Sequence, residues 1–463
     1  MTTTALLERT ASIATAYLAA VRDVPVRSTA DYGALLEAMG GPLPTASSDA
    51  LRVIEDLAMR ARPGLVASPG PRHFGFVIGG VLPAALAADW LASAWDQNAF
   101  SFVLSPAATA VEEIAGAWLT ELLGLSPDMS FGIVTGGTMG NFTGLAAARH
   151  ALLARAGWDV EERGLFGAPE VPVLTSDESH ITIFAALQML GMGRARVTRV
   201  AADEQGRMIP DALRSALLAL TSAPLVCAQA GNVNTGAFDP IDEIAVLVRA
   251  AHGWLHVDGA FGAWAAASPG LRRHTAGLAM ADSVSVDGHK WLNVPYDCGF
   301  VFVRDREAHK AAMTLDAPYY VSAPVAVRAN HNWVPEASRR ARGFTVYAAL
   351  RALGRDGLAE LVERCARLAV RMADRLRGAP GVRILNDVVL NQVLVRFESA
   401  ERNADERTAA IIRRVQEDGT CWTGGTTWHG MHVMRVSVSN WSTTDDDIDA
   451  SAAAILRCAA LER

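Results

Sequence analysis

The 463-residue chain is poor in cysteine: Cys227, Cys298, Cys365, Cys421 and Cys458 are scattered, odd in number and without a pair at metal-ligand spacing. That excludes a disulfide scaffold and a cysteine zinc site, and predicts free thiols in a reducing cytoplasm. There is no basic tract, and the net charge is −7, so neither nucleic acid nor an anionic membrane surface is expected as a partner. Long uninterrupted apolar runs are missing too. The longest candidate, "GFVIGGVLPAALAADWLASAW", is broken by Pro83, Asp89 and several glycines, and reads as a buried loop and helix, not a membrane span. The opening "MTTTALLERTASIATAYLAA" carries Glu8 and Arg9 in an amphipathic pattern; without a basic start or a continuous apolar centre it does not read as a signal peptide. Internal repeats and low-complexity segments are absent. What is there is an ordinary globular composition, 51% hydrophobic and 20% charged, long enough for two or three packed units.

The order of patterns predicts an α/β protein. Residues 2 to about 67 read as helical, with turn signals at "GGPLP" and "RPG". Short apolar runs then alternate with helical ones: "FGIVTGG" before "TMGNFTGLAAARHALLARAG", "VPVLTSDESH" before "ITIFAALQMLG", "PLVCAQAG" before "PIDEIAVLVRAAHG", then "WLHVDGAF" and "DSVSVDGHKW". Strands separated by helices indicate a parallel sheet with crossover helices. From Phe344 a long helical stretch precedes the strand-like runs "VRILN", "NQVLVRFES" and "HVMRVSVSN", which suits a C-terminal α+β domain. The expected divisions are an arm over 1–75, a large domain over 76–343 and a small domain over 344–463.

In such sheets ligands bind outside the carboxyl ends of the strands, and four of these ends carry candidates. "TGGTMGN", Thr135 to Asn141, is a glycine turn opening a helix, where free N–H groups and the helix dipole favour a phosphate; it also reads as a plain turn. His180 in "SDESHITIF" is either a polar helix start or a flat ring able to stack on an aromatic ligand. Asp258 in "WLHVDGAFGAW" is a helix cap or a partner for a protonated ring nitrogen. Lys290 in "SVDGHKWLNVPYDCG" either lays its stem along apolar surface or forms a Schiff base with a carbonyl. Phosphate site, planar neighbour, carboxylate and amine, in that order, are what pyridoxal 5′-phosphate (PLP) requires.

"DGHKWLNVPYDCG", "LHVDGAF", "TGGTMGN" and "SDESHITI" together resemble the group II PLP-dependent amino-acid decarboxylases, which include aromatic-L-amino-acid, tyrosine, histidine and glutamate decarboxylases. The resemblance spans nearly the whole chain, with "GPRHFGFVIGG", "SPAATAVEEIAGAWL" and "MRVSVSNW". It implies PLP-dependent transferase fold type I, aspartate aminotransferase-like: a large domain on a mainly parallel seven-stranded sheet, a small C-terminal domain, and a helical N-terminal arm that joins a homodimer. Carried over by position, Lys290 resembles the Schiff-base lysine, Asp258 the ring-nitrogen partner and His180 the stacking histidine. Gly137, Thr138, Asn141, Asn232, Ala260 and His289 are implied to bind cofactor. Val77, Ile78, Asn98 and Asn330 are implied to line the substrate pocket. The implied activity is decarboxylation of an L-amino acid; apolar Val77 and Ile78 lean toward a hydrophobic or aromatic side chain. One departure stands out. The family's mobile loop, aligned with "YYVSAPVAVRANHNWVPEASRRARG", looks shortened, and Asn330 falls near the place of a proton-donating tyrosine, with Tyr319, Tyr320 and His331 as other donors. Loss of that tyrosine opens oxidative, aldehyde-forming decarboxylation, or aldolase or transaminase chemistry, as alternative outcomes. A PLP-binding protein without catalysis is the third reading.

Overall fold

The computed structural model describes residues 2–314, 320 and 327–462. They form two compact units: Gly79–Val370 with Asn386–Val393, and Met1–Ile78 with Arg371–Leu385 and Leu394–Arg463.

The unit containing Gly79–Val370 is built on a seven-stranded sheet: β1 (Ser130–Val134), β2 (Val173–Ser176), β3 (Val197–Val200), β4 (Leu225–Gln229), β5 (Trp254–Asp258), β6 (Ser283–Asp287) and β7 (Gly299–Val303). The order is β1-β7-β6-β5-β4-β2-β3. β7 runs antiparallel to β1 and β6, while β6–β5, β5–β4, β4–β2 and β2–β3 are parallel. This is the mainly parallel sheet the resemblance implied. Every residue of β4 to β7 is buried, because helices cover both faces of a parallel sheet; that is why these strands read as continuous apolar runs. The edge strand β3 is exposed at Thr198 and Arg199, and a charge at an edge discourages pairing with another chain.

The helix Gly137–Arg155 follows β1 and lies unusually close to the sheet. A Cβ at Gly140 would stand 2.9 Å from the Ser285 Cβ, and one at Gly144 would stand 2.9 Å from the His256 ring. Four residues apart, the two glycines share a face. Their bare backbone brings the helix down onto β5 and β6 and carries Asn141, between them, inside.

The other unit holds β8 (Val382–Ile384), β9 (Gln392–Phe397), β10 (Gly424–Trp428) and β11 (Met431–Ser437), in the order β10-β11-β9-β8, with helices Ala404–Asp418 and Asp445–Leu461. The N-terminal segment is bonded to the C-terminal segments at Arg22, Arg72 and Phe74. Phe74 N–H donates to the Trp422 carbonyl at 2.8 Å and Trp422 N–H to that of Arg72 at 3.0 Å; Arg22 meets Asp447 at 2.7 Å. The expected boundary at 344 also moves, to 371. The pattern change at Phe344 marks the start of the helix Gly343–Leu376, whose Val346, Ala349, Leu358 and Val362 are fully buried. A change of periodicity locates an element, not the edge of a compact unit.

Behind β1, the fully buried His309 takes Ser130 Oγ at 2.8 Å on Nδ1 and the Trp333 carbonyl at 3.0 Å on Nε2. Burial, helped by the Arg328 charge, pushes its pKa down from 6.5 to about 3. Below pH 6.5 the unfolded chain binds a proton there that the folded chain refuses, so this contribution is complete above pH 6.5 and declines as pH falls toward 3. Urea unfolding between about pH 6 and 4.5 is expected to show wild-type stability falling more steeply than that of His309→Gln, by about 1.4 kcal/mol per pH unit. Parallel slopes would contradict a neutral buried His309.

Candidate active site

The carboxyl ends of β5 and β6 each finish in Val-Asp-Gly: Asp258 then Gly259, Asp287 then Gly288. Both aspartates are buried, at 7% and 3% exposure, and a buried carboxylate needs donors.

Asp287 finds three. Gly137 N–H, in the first turn of its helix, donates to Oδ1; Lys290 Nζ lies 2.9 Å from Oδ2; His289 Nε2 lies 3.4 Å from Oδ1. The Lys290 side chain keeps 19% exposure, so the amine is held yet reachable. His289 Nδ1 accepts Cys298 N–H at 3.2 Å; burial lowers the His289 pKa, opposed by Asp287, and the Tyr296 ring lies against it, centroids 4.5 Å apart. The backbone under Lys290 is clamped from Gly79–Leu82. A Cβ at Gly79 would lie 1.8 Å from the Lys290 carbonyl oxygen. Asn293, in left-handed backbone with φ 54, accepts Gly80 N–H at 2.6 Å and returns its carbonyl to Leu82 N–H at 2.8 Å.

Asp258 is held differently. Asn141 Nδ2 donates to Oδ2 at 3.0 Å and Ala260 N–H to Oδ1 at 3.1 Å. The same Asn141 nitrogen reaches Thr182 Oγ1 at 3.1 Å, and Thr182 Oγ1 lies 2.8 Å from His180 Nδ1. His180 caps the helix Ile181–Met189 after β2. Ala260 ties the aspartates together, because its carbonyl accepts Asp287 N–H at 2.8 Å. Gly137, Thr138, His180, Asp258, Ala260, His289 and Lys290 thus gather where the carboxyl ends of β2, β5 and β6 meet the start of the helix after β1.

Other expectations need correction. Asn141 does not face a ligand: it is fully buried, both nitrogen protons are spent on Asp258 and Thr182, and its oxygen takes His256 and Ser285. Asn232, also fully buried, closes its own turn: its oxygen accepts Asn234 and Thr235 N–H and its nitrogen donates to the Glu178 carbonyl. Asn98 is a clasp, bonded to Phe100 N–H, Arg339 N–H and Ser338 Oγ. Asn330 is fully buried with its amide on Thr109 Oγ1 at 3.3 Å, and does not line an open pocket. Tyr320 and His331 pack on Phe100, at 4.9 and 4.3 Å between centroids; Tyr319 lies outside the described residues. Val77, 1% exposed with φ 56, and Ile78 belong to the other unit. Asp287 and Asn293 were missed. The second Val-Asp-Gly was the available signal for Asp287; nothing in sequence marks Asn293.

The donor set fits PLP. A primary amine suits an aldehyde, the N-terminus of the 19-residue helix Gly137–Arg155 suits a phosphate, and a buried carboxylate with two protein donors retains lone pairs for a ring N–H.

Comparison with known proteins points the same way. The model of the pyridoxal-dependent decarboxylase conserved domain matches residues 35–398. Tryptophan decarboxylase 1 of Oryza sativa subsp. japonica is 27% identical over 453 residues, covering 92% of this chain and 87% of the relative. L-2,4-diaminobutyrate decarboxylase of Rhizobium meliloti (strain 1021) is 32% identical over 375 residues, covering 78% and 72%. The solved structure of Oryza sativa TDC with PLP and tryptamine superposes with a TM-score of 0.92 at 24% identity, covering 99% of this chain and 97% of that one. The fold is fold type I of PLP enzymes.

Because Asp287 carries a charge-assisted bond to the reactive amine, Asp287→Ala is expected to lower kcat/KM by about 10- to 100-fold. Asp287→Asn, which keeps an acceptor for Gly137, is expected to hold the melting temperature of the cofactor-free protein near wild type. Unchanged kinetics in both variants would remove Asp287 from the site.

Proposed function

The chain belongs to the pyridoxal-dependent decarboxylase family, and from that premise we propose that it removes the α-carboxylate of an L-amino acid with an aromatic or other apolar side chain. It is a PLP-dependent amino-acid decarboxylase, a carboxy-lyase. The observation that carries the assignment of roles is the pairing of two strand-end carboxylates through Ala260: one holds an amine, and the other, with two neutral donors, keeps lone pairs that would suit a ring N–H.

When bound, PLP supplies the electron sink that accepts the charge left on the α-carbon as CO2 departs. Lys290 offers the amine for the cofactor aldehyde. Asp287, 2.9 Å from Nζ, holds that amine in place. With Gly137 N–H taken by Asp287, the remaining N–H groups in the first turn of the helix Gly137–Arg155, that of Thr138 among them, would receive the phosphate. Asp258 keeps the ring-nitrogen proton, and His180 offers its ring as the flat neighbour.

The substrate class rests on the long match to a tryptophan decarboxylase. The diaminobutyrate decarboxylase, at higher identity over a shorter stretch, supplies the competing choice of a cationic substrate. Oxidative decarboxylation has no observation of its own, since Asn330 is bonded within the protein. Wild-type protein is expected to release CO2 from tryptophan, tyrosine or phenylalanine with a higher kcat/KM than from 2,4-diaminobutyrate or glutamate, and Lys290→Ala is expected to release none. A preference for diaminobutyrate would overturn the substrate class; turnover by Lys290→Ala would overturn the lysine's role.

The functional form is a homodimer. Helices Thr3–Ala20, Tyr32–Met39 and Ala50–Ala61 bury no residue, and their Leu7, Tyr32, Leu36, Val53 and Leu57 are exposed. So much apolar surface on successive helices calls for a cover, and a second copy is the cover consistent with the family. None of the five cysteines is bridged, which supports a cytoplasmic setting. Sedimentation is expected to give twice the 49.2 kDa chain mass; a monomer at micromolar concentration would refute the dimer.

A further inference from the structure

Asp258 ends a chain of hydrogen bonds whose direction is determined at its far end. Trp254 Nε1 donates to Ser283 Oγ at 2.9 Å, and an indole nitrogen can only donate. Ser283 Oγ lies 2.8 Å from His256 Nδ1, His256 Nε2 lies 2.9 Å from Asn141 Oδ1, and Asn141 Nδ2 lies 3.0 Å from Asp258 Oδ2. Ser283, His256 and Asn141 are fully buried and Trp254 is 1% exposed, so water does not substitute for any link.

Only one proton arrangement satisfies every member. The carboxylate accepts, so the Asn141 amide must turn its nitrogen to Asp258 and its oxygen to His256 and Ser285. That oxygen needs a donor, so His256 carries its proton on Nε2. Nδ1 then accepts the Ser283 hydroxyl proton, and the Ser283 oxygen accepts the indole N–H. Turned the other way, the Asn141 amide would set an oxygen against the Asp258 carboxylate and nitrogen protons against a donor. The same amide nitrogen donates to Thr182, whose hydroxyl proton goes to His180 Nδ1, 2.8 Å away. The orientation of one amide therefore governs the donor on the ring-nitrogen carboxylate and is linked through Thr182 to His180.

We infer that His256 is a positioning residue for the reaction: its Nε2 proton locks the Asn141 amide and so keeps a donor on Asp258 and holds that carboxylate in place for the cofactor nitrogen. The inference rests on the role proposed for Asp258. His256 is well suited to it, since burial lowers its pKa from 6.5 to about 4 against the opposing charge of Asp258, leaving the ring neutral. Nor does its packing leave room to move: a Cβ added at Gly144 would lie 2.9 Å from its Nδ1.

Two variants and one measurement on wild type test this. His256→Leu removes the donor; His256→Gln keeps an N–H that can reach Asn141. His256→Leu is expected to weaken PLP binding, followed by the absorbance of the added cofactor, by about tenfold and to lower kcat by at least as much, with KM little changed. His256→Gln is expected to recover most of both losses. Equal behaviour of the two variants, whether both active or both impaired, overturns the inference. If neither variant folds, long-range proton–nitrogen NMR of cofactor-free wild-type protein labelled at histidine decides: a neutral His256 protonated on Nε2 between about pH 6 and 8 supports it, and one protonated on Nδ1 sinks it. Failure of wild-type protein to bind PLP would instead strike the proposed role of Asp258 and leave the tautomer result standing.

Discussion

A carboxylate removed from water must be met by donors, and the polar interior of this protein is arranged around that need at Asp258. Two donors reach it, Asn141 Nδ2 and Ala260 N–H, enough to keep the charge inside while leaving lone pairs for a ligand. The Asn141 donor exists only because the helix Gly137–Arg155 sits low on the sheet, and it sits low only because Gly140 and Gly144 have no side chains. Helix–sheet packing and the state of one carboxylate are thus a single constraint.

Asp287 is chemically the same group at the equivalent end of the next strand, yet it has a different task. Its partners are an amine, an imidazole and a helix N-terminal N–H, so it orders the groups that receive the aldehyde and phosphate. Asp258 meets neutral donors and awaits a protonated ring nitrogen. Environment, not residue type, separates the two roles. Ala260 keeps them in register through backbone bonds alone, which explains how a residue with a single methyl group belongs in the site.

Much of this was legible before any coordinates. Strand-end position marked Asp258 and Lys290, the glycine turn marked the helix start, and apolar runs marked strands buried on both faces. The asparagines were misread. Asn141 and Asn232 lie beside the right motifs in sequence, but an amide offers both a donor and an acceptor, and which neighbours claim them depends on strands far away in the chain: His256 and Ser285 for one, the Glu178 carbonyl for the other. The second Val-Asp-Gly, at Asp287, repeats the strand-end pattern of Asp258, but its task depends on the amine, imidazole and helix N–H that the fold brings to it.

By itself the amino-acid order determined the elements, their succession, the covalent partner of the cofactor and the family, since periodicity, turn residues and short motifs are local properties that survive without a partner in space. Only the folded chain decided that residues 2–78 join the C-terminal segments, that Asp287 pairs with Lys290, and that His256 reaches Asp258 through Asn141. The first and the last depend on close approach between segments more than a hundred residues apart, and the second on how the backbone turns over the three residues from Asp287 to Lys290; hydrogen bonds of about 3 Å form only where the fold brings the groups together.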